Sequence, residues 1–169
     1  MPATVARLIA DLASTDVRIR YAAVLNLEQE GTPEAVPALI DVLRDEHWYV
    51  RSSAIRALGN IGDAQAVSAF ITALRDENPA VRKNAAMAVA QIPDERAIPA
   101  LIETLEDNRH YVRQEAILAL SRIGGEKTIK ALSQAIKHDH GRFAALQALR
   151  LINTPEATAE IARWQAEQS

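Results

Sequence analysis

A chain of 169 residues, 49% of them apolar, is long enough for one domain with a substantial core. Its net charge of −3 excludes a global basic field that would draw nucleic acid or anionic lipid, and the lack of cysteine excludes disulfides, a thiolate nucleophile and a Cys-based zinc site. No apolar run reaches the ~18 residues that span a bilayer and no apolar leader opens the chain, so a soluble cytoplasmic protein is expected.

A period organises everything that follows. Segments starting at Val5, Val36, Val67, Ile98 and Ile129 open alike, 31 residues apart. The first opens with Val5, Leu8, Ile9 and Leu12, the second with Val36, Leu39, Ile40 and Leu43, the third with Val67, Phe70, Ile71 and Leu74. The fourth has Ile98, Leu101, Ile102 and Leu105; the fifth keeps Ile129, Leu132 and Ile136 but is broken by Ser133. The spacing i, i+3, i+4, i+7 lays one apolar stripe along a helix. A short polar turn and a second helix follow in each segment. In the second segment its inward stripe is Val50, Ala54, Ala57, Leu58 and Ile61, and Val81, Ala85, Ala88, Val89 and Ile92 repeat it, as do Val112, Ala116, Ala119, Leu120 and Ile123. Alanine at the same inward places lets helices approach closely. Each segment therefore predicts an αα-hairpin of two helices of about ten residues each.

Gly31, Gly62, Gly124 and Asn153 end second helices, in keeping with their tolerance of left-handed backbone, while Pro93 requires a different ending. Thr32, Asp63, Asp94 and Thr154 are expected N-caps, with Pro33 and Pro155 in first-turn positions; Pro37 and Pro99 lie further in. The fifth segment is shorter, and aligning Arg51 with Arg142 puts the deletion in its internal turn. Residues 158–169 read as a capping helix whose mate is missing, with Glu160, Arg163 and Glu167 as polar positions. The predicted fold is all-α: a single domain over 1–169, a right-handed α-solenoid of five hairpins with boundaries near 5–35, 36–66, 67–97, 98–128 and 129–157, then the cap.

The segments Asp45–Gly62 (DEHWYVRSSAIRALGNIG) and Asp107–Gly124 (DNRHYVRQEAILALSRIG) resemble the HEAT-like repeats of phycobilin lyases. Similar repeats occur in small archaeal and bacterial HEAT-like scaffolds and in designed proteins derived from them. The resemblance implies that second helices line a concave, partner-binding face, with Trp48, Tyr49, Ser52, Ser53, Arg56 and Asn60 at partner-facing positions. Helical geometry independently places Tyr49, Ser52, Ser53, Arg56 and Asn60 opposite Val50, Ala54, Leu58 and Ile61. The same register gives Arg18 and Tyr21 in the first hairpin, then Lys83 and Met87 in the third. It gives Tyr111, Glu115, Leu118 and Arg122 in the fourth, and Asp139, His140, Phe143, Gln147 and Leu151 in the fifth. Five of the seven aromatic residues fall on this face, namely Tyr21, Trp48, Tyr49, Tyr111 and Phe143, whereas Phe70 and Trp164 read as core or cap. The rings serve either as interface anchors or as packing over the hairpin turns. Arg18, Arg56, Lys83 and Arg122 outnumber Glu115 and Asp139 there, against the chain's overall −3, which suits a mildly acidic partner surface or simply a solvated groove.

Other constellations carry less. Arg20, Arg51, Arg82, Arg113 and Arg142 recur at one position, with Asp45, Asp76 and Asp107 six residues before their arginines. Such a column could hold phosphate or carboxylate, but Arg–Asp pairing between turns of adjacent repeats is the stronger reading. His47, His110, His138 and His140 lie in or near turns without acidic or Cys partners at ligand spacing, so no metal site is expected. The chain is similar in repeat form to deoxyhypusine hydroxylase, but that family's His–Glu pairs are absent and the best position reads Gln114–Glu115. No Walker loop, GxGxxG or GxSxG is present, and no catalytic residue is assigned. Ala6, Ala10 and Ala13 leave the first helix poorly polar, a second place where something could dock. The expected function is a non-enzymatic scaffold, without cofactor, holding another protein on its concave face and binding neither nucleic acid nor membrane. The alternative, implied by the resemblance, is a phycobilin lyase or chromophore-handling subunit, the one case in which a bilin is expected.

Overall fold

A computed structural model describes residues 3–138 and 140–168; Asp139, expected on the partner face, lies outside them. Secondary structure among the described residues is entirely helical and falls into two compact units, Met1–Ile92 and Pro93–Ser169. The N-terminal unit holds α1 (Ala3–Asp11), α2 (Val17–Glu30), α3 (Val36–Val42), α4 (Trp48–Ile61), α5 (Val67–Ala73) and α6 (Pro79–Gln91). The C-terminal unit holds α7 (Ile98–Thr104), α8 (His110–Ile123), α9 (Gly125–Ala135), α10 (Arg142–Ile152) and α11 (Pro155–Glu167). Odd-numbered helices are the first members of hairpins and even-numbered helices the second.

From α1–α2 to α7–α8 the two members are unequal, contrary to the expected similar lengths, whereas α9 and α10 have 11 residues each. α3, α5 and α7 have seven residues each, while α4 and α8 have 14. Each short helix is entered through a 3-10 turn: Pro33–Ala35, Ala64–Ala66 and Glu95–Ala97. Tight turns of this kind suit a short connector. Ala35, Ala66 and Ala97 are fully buried at these corners, where a larger side chain would hold the helix off. Pro37 and Pro99 then sit in the first turns of α3 and α7, where a missing N–H costs nothing.

Caps follow the predicted chemistry with one exception. Asp63 accepts from Gln65 N at 2.8 Å, Asp94 from Arg96 N at 2.8 Å, and Thr154 from Ala157 N at 3.3 Å. The Thr32 hydroxyl instead donates to the Glu34 carboxylate and caps no backbone N–H. Helix ends at Gly31, Gly62 and Asn153 are left-handed, with φ of 61°, 78° and 51°. Ahead of Pro93, α6 ends differently, through Ile92 at φ −122°, ψ 78°, whose N–H still reaches Ala88 O.

In the N-terminal unit, α4 packs against α2, α3 and α6. Val50, Ala54, Ala57 and Leu58 are buried as predicted, Ile61 of the same stripe is only half-buried, and Ile55 and Gly59 are buried as well. A stripe deduced for a helix touching its own hairpin mate is too narrow for one flanked on both sides. Gly59 marks the close approach to α6: a Cβ there would lie 3.3 Å from Ala88 Cβ. In the C-terminal unit, Leu101, Leu105, Val112, Leu120, Leu132, Ile136 and Leu149 are almost fully buried. There α8 packs on α7 and α10, and α9 on α7, α10 and α11.

Candidate interaction surface

The arginine column is structural where its pairing is seen. Arg20 Nε and Nη2 meet Asp45 Oδ2 and Oδ1 at 2.6 and 3.1 Å, and Arg51 meets Asp76 likewise at 2.8 and 2.8 Å. Each guanidinium also donates Nη1 to a carbonyl of its own turn: Arg20 to Ser14 O at 2.9 Å and Arg51 to Asp45 O at 2.8 Å. Each Asp in turn accepts from a backbone N–H two residues on, His47 N for Asp45 and Asn78 N for Asp76, both at 2.8 Å. Burial raises the Asp45 pKa, but the Arg20 hydrogen bonds, the His47 N–H and the nearby positive charge outweigh it, so its carboxyl stays below the ordinary range. Arg82 and Arg113 hold their own turns through Asp76 O and Asp107 O at 2.8 and 2.6 Å, and Arg142 donates to Ile136 O at 2.9 Å. With these functions filled, Arg20 and Arg51 are not a phosphate site.

On the N-terminal unit, Tyr21 of α2 and Tyr49 of α4 meet edge to face, with centroids 5.5 Å apart, and Trp48 packs against Tyr49 at 5.9 Å. The two tyrosines are half-buried, whereas Trp48 is 47% exposed. Ser52 and Ser53 correct the expectation: both are buried, and Asn84 Nδ2 covers Ser52 by donating to its Oγ at 2.8 Å. Ser52 sits where α6 leans over α4, on the side that a single-helix projection leaves open. Arg56 is exposed but is held by Glu28 of α2 in a two-pronged pair, 2.7 Å on each arm, and Asn60 Nδ2 adds a 2.8 Å bond to the same carboxylate. This pairing raises the Arg56 pKa. Arg18 is similarly engaged by Asp16 at 2.7 Å. The expected positive excess is thus largely neutralised here, leaving half-buried Lys83, which makes no ion pair among the described residues. Met87 is exposed beside it on α6. Glu28 escaped sequence reasoning because the equivalent place in the next hairpin is Gly59, so no column marks it.

On the C-terminal unit, Tyr111 is half-buried with its ring 5.6 Å from that of His110. Glu115 is half-buried and Arg122 exposed on α8. Phe143 is 70% exposed at the start of α10. Two depressions run between α8 and α10. One, of about 460 Å³, lies among His110, Arg113, Gln114, His140, Phe143 and Gln147; the other, of about 470 Å³, lies among Gln114, Glu115, Ile117, Leu118, Gln147, Arg150 and Leu151. Arg150 and Ile117 were not singled out by the repeat register.

Elsewhere, α9 and α11 border a charged groove of about 610 Å³ lined by Lys130, Lys137, Glu160 and Arg163. Phe70 is fully buried core, and Trp164 stands half-buried with the Arg142 guanidinium 5.9 Å from its ring centroid. Among the described residues no group of His, Cys, Asp or Glu could hold a metal ion, and no helix is long and apolar enough to cross a membrane.

Successive two-helix repeats, joined by a repeated Arg–Asp link and presenting their second helices, define an α-helical repeat protein of the solenoid class. The family of HEAT repeats matches residues 5–75 and 67–150, and the chain belongs to it. No curated protein matches the sequence. Among solved structures, the chain is similar to the CpcE–CpcF complex of phycocyanin lyase from Nostoc sp. PCC7120, at 28% identity and TM-score 0.72, covering 93% of this chain and 68% of that one. An engineered protein matches at 24% identity and TM-score 0.72, covering 95% and 84%. A designed armadillo repeat protein in complex with peptide (KR)4 matches at 20% identity and TM-score 0.70, covering 98% and 90%.

Proposed function

We propose that the chain is a non-enzymatic scaffold whose second-helix faces hold a partner protein. One observation carries this reading: among the described residues, the large apolar side chains left exposed are Ile19, Trp48, Met87, Leu118, Phe143 and Leu151, and every one of these lies on an even-numbered helix. Scattered exposed apolar residues need no explanation, but confinement to one class of helix does. Tryptophan, phenylalanine and methionine among them are the side chains enriched in interface cores. The designed armadillo repeat protein, seen with a peptide bound, supports the reading by analogy of fold.

Affinity capture from the source lysate, comparing wild type with a Trp48→Ala/Phe143→Ala double variant of matching helical circular dichroism, tests it. A partner retained by wild type and lost by the variant is expected. Equal retention by both would remove these side chains from the binding surface.

A second reading rests on the 28% identity with the phycocyanin lyase complex: a subunit that handles a bilin destined for a phycobiliprotein. It requires an absorbance change when the chain is mixed with free phycocyanobilin, and an unchanged spectrum rejects it.

A further inference from the structure

The two faces differ in what their charges are doing. In the N-terminal unit Arg18 and Arg56 are satisfied by Asp16 and Glu28. In the C-terminal unit, Glu115 of α8 and Arg150 of α10 border the same 470 Å³ groove, and neither makes an ion pair among the described residues. The same groove has an apolar lining: Leu118 is 45% exposed and Leu151 54% exposed, with Ile117 at the base. Gln114 and Gln147 place a side-chain amide on each helix, able to donate to and accept from a peptide main chain.

Register sets the spacing. Arg113 and Arg142 are equivalent positions, Glu115 follows the first by two residues and Arg150 the second by eight. At 1.5 Å per residue the acid and the base are about 9 Å apart along the helices. An extended peptide covers that distance in about three residues.

We propose that the α8–α10 groove binds an extended segment of a partner protein carrying a leucine-sized apolar side chain with a single carboxylate on one flank. The apolar side chain sits between Leu118 and Leu151, and the carboxylate pairs with Arg150 in the fork geometry that a guanidinium offers. The other flank is neutral or basic, because a second acid would face Glu115. The partner motif is therefore one apolar residue and one acid within two positions, not an acidic run. This inference rests on the scaffold reading and names the chemistry its partner must have.

The test is selection of phage-displayed random heptapeptides on the immobilised full chain, on Arg150→Glu, on the milder Arg150→Gln, and on Trp48→Ala. Lys130→Glu serves as a control that makes the same charge change on α9. All five forms must first give matching circular dichroism. Wild type and Lys130→Glu are expected to enrich Leu, Met or Phe with Asp or Glu on one flank only. Arg150→Glu is expected to replace that acid by Lys or Arg. An enriched heptapeptide, made synthetically and read by fluorescence polarisation, is expected to bind Arg150→Gln at least about tenfold more weakly than wild type, the loss of one charge-assisted pair. Acids on both flanks, no flanking acid, or a motif unchanged by Arg150→Glu overturns the proposal. If that unchanged motif disappears on Trp48→Ala, recognition belongs to the N-terminal unit, and the scaffold reading survives without this groove. Enrichment by no form overturns both.

Discussion

Arg51 reaches in two directions at once, to the carbonyl of Asp45 in its own turn and to the carboxylate of Asp76 in the next hairpin. Both partners of the ion pair are nearly buried, at 9% and 13% side-chain exposure, so removing one strands the other away from water. Arg51→Ala is expected to destabilise by about 3–5 kcal/mol. Urea unfolding measures this, and Asp76→Ala in the same background should then cost much less than it does alone. Asp16 is a half-buried counterpart: Arg18 side-chain and backbone donors lower its carboxyl from 3.8 to about 2. Its folded pKa lies below the unfolded one, so its contribution is complete above ordinary carboxylate pKa values and is lost as pH falls towards 2. Carbon-detected NMR titration should find its midpoint near 2, and Arg18→Ala should move it upwards. Thr128 is fully buried with an Oγ1 that has no hydrogen-bond partner among the described residues. Thr128→Val is accordingly expected to raise stability by about 1 kcal/mol in the same unfolding assay. The arginine and aspartate columns could be read from the sequence because they recur with the period. Glu28 beneath Arg56 and Asn84 over Ser52 could not, because each occurs once and depends on how the next helix leans.

At the scale of the element, the period located every hairpin, but the helix lengths within it did not follow. The apolar spacing in Val36–Leu43 is the same whether the chain enters through an α or a 3-10 turn, and only the stacking at buried Ala35 selects the tighter form. The inward stripe of α4 was likewise legible only for the face towards its own mate. Its second contact, at Gly59, required knowing that α6 lies against it. Gly59→Leu should overpack that approach and destabilise by about 1–3 kcal/mol, seen as a lower melting temperature. Gly124 connects α8 to α9 without a 3-10 turn, at φ 57° and ψ −154°, a region that essentially only glycine occupies. Gly124→Ala is expected to cost about 1–3 kcal/mol, whereas an alanine at exposed Ala162 or Ala166 already sits in ordinary helix.

For the molecule as a whole, repetition makes stability a matter of neighbours: within each unit, one hairpin buries its apolar face on the next. The sequence announced this by its period and by the polar residues of the last helix, so fold class was its most legible property. The proposed partner face was legible only as a register. Which of its charges are already paired, Arg18 and Arg56, and which make no ion pair among the described residues, Arg150 and Glu115, depends on side chains that the repeat does not constrain. The neighbour rule also predicts a gradient. α4 has nine of its 14 residues buried, between helices on either side, whereas α11 has Ala157 alone. Opening α11 exposes little apolar surface, and opening α4 dismantles the N-terminal unit. Amide hydrogen exchange should therefore be slowest in α4, intermediate in α8 and fastest in α11, with local opening free energies falling in that order. If α11 exchanged as slowly as α8, the terminal helix would be held by more than its packing on α9 and α10, and the charged groove it shares with α9 would become the place to look for the cause.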